Sequence, residues 1–183
     1  MTTAASYKGV LKRYKASTEQ VQWYFDQVPS LLPTFPYEVT LAYLFLRTEK
    51  AHNRALYCGV VKLHRAHTEI ADQAVNVHHL TRDGFLELYG NVFGRQLSDA
   101  TATKIKKAEK IRDRVIHGKH VADHELRQAL IDVIEYAEAL NSDVQAIGGF
   151  EPFGDLRGFK GRAEPIDKST TRWLLKGMGF ALA

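Results

Sequence analysis

With 183 residues, 45% hydrophobic and 25% charged, the chain is long enough for one hydrophobic core and too short for several domains. Its longest apolar run, near Leu41 to Leu46, falls far short of the roughly 20 residues that cross a bilayer, and the N-terminus lacks the apolar stretch of a signal peptide. The expectation is a cytoplasmic protein with no membrane partner, and the single cysteine, Cys58, excludes an intrachain disulfide and reads as a small buried apolar residue within a helix.

In chain order, the first helical pattern opens near Ser17, with Gln20 three positions on as in a capping box, and carries Val21, Tyr24, Phe25 and Val28 up to Pro29. Residues 29–36, which hold three prolines, read as a linker. From 37 to 80 there is no proline and one glycine, Gly59, enough chain for two helices or one long broken one, with a break expected at 51–53. Leu56, Val60, Leu63, His67, Ile70, Ala74 and Val77 recur at three- and four-residue steps, the stripe of a helix lying on a core. His67, its one polar member, reads as a hydrogen-bonded core residue. His78 and His79 mark a structural corner before a short helix over 82–92 and a turn at Phe93-Gly94.

The next helix starts at Ser98 or Asp99, both good caps, and turns Ile105, Ala108, Ile111 and Val115 inward. A second stripe, Lys104, Lys107, Lys110 and Arg114, makes its other side basic. Between 104 and 119 seven cations face only Glu109 and Asp113, so this short segment carries more positive charge than the chain's net +4. Local basicity of that kind either forms a solvated face or attracts an anionic partner such as nucleic acid. The helix closes at His117-Gly118, where glycine suits a left-handed residue. A last amphipathic helix opens near Asp123 and sets Leu126, Leu130, Val133, Ala137 and Leu140 on one face. Residues 148–183, rich in glycine and aromatics, read as an irregular extension with a short helix over 168–176. The domain reading is an N-terminal helix and linker over 1–36, a bundle over 37–147 and the extension over 148–183.

Arg112 and His117 are the candidate chemistry. A guanidinium stays charged at every physiological pH, and an imidazole exchanges protons near neutrality. RNA carries its own nucleophile in the 2′-hydroxyl, so cleavage needs a base, an acid and positive charge for the phosphorane, which these side chains supply without a metal. Five residues apart on one straight helix, however, is about 500°, leaving them about 140° apart around the axis. The geometry then requires either a helix that ends before His117 or a second copy of the chain.

The run Arg112-Asp113-Arg114-Val115-Ile116-His117-Gly118, at the end of a basic helix and before the last amphipathic one, resembles the signature of HEPN domains: an arginine, a polar residue, three more residues, then histidine. The resemblance covers about 37–140 and implies an all-α fold, an antiparallel bundle of four or five helices with an irregular C-terminal extension. It also implies a metal-independent endoribonuclease (a hydrolase of the toxin or defence kind) acting as a homodimer, with RNA as substrate, an antitoxin or other protein as partner, and no cofactor. Under it Arg112 stabilises the scissile phosphate, His117 transfers protons and Asp113 orients one of them or holds the cleft. Lys104, Lys107, Lys110, Arg114 and Lys119 would bind RNA. The chain has Lys119 where some toxin members carry a tyrosine, and other members of the family bind nucleotides or partners without catalysis. No metal site is expected: His120 and His124 are four apart but lack a third ligand at a diagnostic spacing.

Overall fold

The computed structural model describes residues 4–76, 81–161 and 163–182. Among them every regular element is a helix: α1 (Tyr7–Lys15), α2 (Glu19–Tyr24), α3 (Val28–Thr34), α4 (Tyr37–His64), α5 (Thr68–Asn76), α6 (Arg82–Phe93), α7 (Asp99–Ile116), α8 (Asp123–Gly148) and α9 (Lys168–Gly177). The all-α expectation is met, but with more helices than the periodicity indicated. Residues 77–80, including Val77 and the His78-His79 corner, lie outside the described residues. None of the described helices is long and apolar enough to cross a membrane.

The chain divides into two compact units that interleave in sequence. One takes the chain up to Thr48, Ser98–Asn141 and Phe153–Asp155; the other takes Glu49–Leu97, Ser142–Pro152 and the chain from Leu156 on.

In the first unit α1, which the sequence reading did not anticipate, is tied down by Arg13, paired with Glu135 at 3.3 Å and with Glu138. The cap of α2 is Thr18 and not Ser17: the Thr18 side chain accepts from Val21 N, while Ser17 Oγ donates to Tyr14 O at 2.6 Å. Residues 29–36 are not a linker, because Pro29 sits in the first turn of α3, where the missing N–H costs nothing. Tyr24 and Arg47 interlock, with Tyr24 Oη donating to Arg47 O (2.9 Å), Arg47 Nη2 donating to Tyr24 O (2.7 Å) and the guanidinium over the Tyr24 ring at 4.1 Å. Leu126, Leu130, Val133, Ala137 and Leu140 of α8 are all buried, as their spacing requires. Buried Asn141 grips the main chain of Phe153, accepting from its N at 2.8 Å and donating to its O at 3.0 Å. The Phe153 ring then stands edge-on to Tyr24 and Tyr136.

In the second unit the expected break at 51–53 is absent. Ala51 and His52 are buried within a continuous α4, and the His52 ring stacks on Phe85 at 3.8 Å. Burial drives the His52 pKa down to about 3, so the imidazole is neutral. α4 passes close to α6 at Gly59, where a Cβ would stand 2.6 Å from Val92 Cγ1. The break falls later than expected, at Arg65, whose φ of 56° is left-handed, and it separates α4 from α5. His67 therefore lies between helices: its N–H donates to Thr171 Oγ1 at 3.0 Å, and its buried Nδ1 has no hydrogen-bond partner among the described residues. Cys58 is buried, and burial raises its thiol to about 12, so it stays a protonated apolar side chain. In the extension, α9 spans the expected segment. Phe150 and Phe180 are buried, while Trp173 is 78% exposed.

Candidate nucleic-acid interface

The basic segment is a helix because both ends are specified locally. Ser98 Oγ accepts from Thr101 N at 3.2 Å at the start. At the end, Gly118 takes φ 66°, its N–H reaches Val115 O, and Lys119 N reaches Arg114 O, both at 2.9 Å. This is a Schellman closure, for which glycine is preferred because no Cβ opposes the left-handed conformation.

That closure decides where the signature residues point. His117 is the cap residue, and its N–H still bonds Asp113 O at 3.0 Å. The helical path is kept as far as His117, so the angle of about 140° between the Arg112 and His117 side chains stands within one chain. His117 is exposed. Arg112 is not free to meet a phosphate in the same way: its guanidinium bonds Asp113 Oδ1 at 2.9 Å and Glu109 Oε1 at 3.3 Å and lies over the Phe45 ring at 4.7 Å. Its side chain is 22% exposed. Asp113, assigned to orient the pair, is engaged by Arg112 and stays exposed.

The five cations expected to bind RNA separate into three situations. Lys104 is turned onto Glu135 of α8, which Arg13 also holds. Burial works against the Glu135 charge, but these two cations overcome it and keep its carboxyl below the usual range. Lys119 is exposed beyond the helix end. Lys107, Lys110 and Arg114 line one groove of about 490 Å³ between α7 and α8. There Arg114 donates to Glu125 Oε1 (2.7 Å) and to His120 O (3.0 Å). The hydrogen bond from Arg114, seconded by Ala122 N–H, lowers the Glu125 carboxyl. Among the described residues Lys107 and Lys110 form no ion pair, which leaves two ammonium groups at the groove for a ligand.

The opposite wall carries residues the sequence reading passed over. Asp132 is 8% exposed, and its Oδ1 accepts from Gln128 Nε2 at 2.8 Å. Burial pushes its carboxyl above the usual range, against the hydrogen bond from Gln128 and the pull of Lys104 and Lys107. A signal was present, since Asp132 interrupts Leu130-Ile131-Asp132-Val133-Ile134, and an acid inside an apolar run is rarely buried without a role. His120 and His124 do not share a helix face, because His120 precedes the start of α8 at Asp123. Among the described residues no group of three metal-ligating side chains occurs. Comparison with protein-family models, curated proteins and solved structures finds no match.

Proposed function

We propose that this chain binds RNA through the α7–α8 groove and is, in a single copy, a binding module without catalysis. The observation that carries the reading is the convergence of Lys107 and Lys110 on a groove whose other cation, Arg114, is already neutralised by Glu125. Two ammonium groups on one helix face, without ion-pair partners among the described residues, suit successive phosphates of a flexible strand. Arg112, engaged with Glu109, Asp113 and Phe45, serves the helix it stands on.

The second reading is a metal-independent endoribonuclease, supported by the HEPN resemblance and by His117 standing exposed at the end of α7. It requires a dimer in which one chain's His117 meets the other's Arg112, and it requires Arg112 to exchange a carboxylate for phosphate.

The experiment incubates the purified full chain with labelled single-stranded RNA in EDTA and follows both binding and cleavage. Salt-dependent binding without cleavage, weakened by Lys107→Ala/Lys110→Ala, is the expected result. Cleavage lost in His117→Ala would establish the nuclease reading in its place, and an absence of binding at low salt would end both.

A further inference from the structure

The α7–α8 groove holds chemistry that phosphate binding does not use. Gln128 and Asp132 stand one turn apart on the same face of α8, and both line the groove. An ionised carboxylate only accepts hydrogen bonds, so the Gln128 group at 2.8 Å from Asp132 Oδ1 is its NH₂. The Gln128 carbonyl oxygen is then left for another partner, as is the remaining accepting capacity of the Asp132 carboxylate. This wall of the groove therefore presents acceptors side by side. Around them the surface is mostly hydrocarbon, from Ile111, Ala129 and the methylene stems of Lys107 and Lys110. The volume of about 490 Å³ lies within the range of small-molecule sites, which are apolar clefts with a few placed polar groups.

A ligand that fits needs a flat apolar body, two neighbouring donors on one edge and a negative charge beyond it. Among the RNA bases, adenine and cytosine set their amino group next to a ring-nitrogen lone pair, which would face an acceptor. Uracil flanks its one N–H with two carbonyls. Guanine alone presents adjacent N1–H and N2–H₂ donors. Resting on the RNA-binding reading above, we infer that the groove takes one unpaired guanine of a single-stranded RNA, its donor edge on Asp132 and Gln128, its face on Ile111 and Ala129, and its phosphates towards Lys107 and Lys110. Recognition of splayed-out bases along their Watson–Crick edge is the usual route to sequence preference in single-stranded RNA.

The test measures binding of the full chain to short labelled oligouridylates that carry a single central guanine, adenine or cytosine, or none, by fluorescence anisotropy. The guanine strand is expected to bind about tenfold more tightly than the all-uridine strand, as for a bidentate base contact. Asp132→Asn and Gln128→Ala should each bring that ratio, read as the guanine strand against the all-uridine strand on the same variant, to within about twofold. If Asp132→Asn lowers the helical circular-dichroism signal, Gln128→Ala and the base series decide. Equal binding of all four strands, or a guanine preference that survives both variants, overturns the inference and leaves RNA binding standing. Free GMP competing as effectively as the guanine strand overturns RNA as the occupant. No binding of any strand removes the RNA-binding reading itself, and the inference with it.

Discussion

The Arg112 guanidinium lies 4.7 Å from the centre of the Phe45 ring, held there by Glu109 and Asp113. The arginine of the signature is thus part of the packing between α7 and α4 in the first unit. Arg112→Ala removes a cation–π contact worth about 0.5–2 kcal/mol and the packing of its stem on Phe45. Thermal unfolding should drop by several degrees, with Arg112→Lys intermediate. A surface arginine kept only for phosphate would leave the melting temperature unchanged, and that outcome would count against the structural role.

Lys104 and Lys107 are three residues apart on one basic stripe but have different work. Lys107→Ala/Lys110→Ala should leave stability within about 0.5 kcal/mol. It should flatten the salt dependence of single-stranded RNA binding by about 1.4 in the log–log slope, at about 0.7 per phosphate contact. Lys104→Ala should do the reverse: it removes one of the two cations on half-buried Glu135, lowering stability by about 1 kcal/mol or less with the salt slope unchanged. Titrations at several salt concentrations beside urea melts separate the two.

This contrast also marks what the sequence could show. The ends of α7 and the buried face of α8 were legible because caps and apolar spacing are local. The engagement of Lys104 was not, since it depends on Glu135 arriving from α8. The Arg65 break escaped notice because a non-glycine residue takes the positive φ and because His67 and Ile70 happen to fall in step with the stripe before it. α4 runs unbroken through 51–53, where a break was expected, and His52 is accommodated inside by stacking on Phe85. α1 carries Tyr7, Val10, Leu11 and Tyr14 at i, i+3, i+4 and i+7, an apolar stripe of only two turns among cations, and it was passed over for its shortness. The Arg112–His117 divergence followed from spacing alone, whereas the Phe45 ring under the Arg112 guanidinium comes from α4 and is not a local signal.

Buried His52 makes stability sensitive to mild acid. Its pKa falls from 6.5 to about 3 on folding, because burial disfavours the charged ring. The unfolded chain therefore binds the extra proton first, so stability is full above about pH 6.5 and is lost as pH falls from there towards 3. At pH 5 the loss from this group is roughly 2 kcal/mol. His52→Phe keeps a ring on Phe85 and should flatten the decline of urea midpoint between pH 7 and pH 5. A wild-type midpoint that is level across this interval would contradict a neutral buried His52.

Asn141 is 2% exposed and satisfies both the N–H and the C=O of Phe153, a residue that is itself fully buried. Asn141→Ala leaves two buried main-chain groups without their partner, each costing about 1–3 kcal/mol. A total loss of at least about 2 kcal/mol is expected, more than for an exposed asparagine. Asn141→Asp keeps the acceptor for Phe153 N but sets an oxygen against Phe153 O, so it should be no better than alanine at neutral pH and should recover part of the loss in acid, where the protonated carboxyl donates. The order of the three urea midpoints at two pH values checks this. If Asn141→Asp matched wild type at neutral pH, the Phe153 carbonyl would not depend on a donor at this position, and the hold on Phe153 would not be the bidentate clamp described.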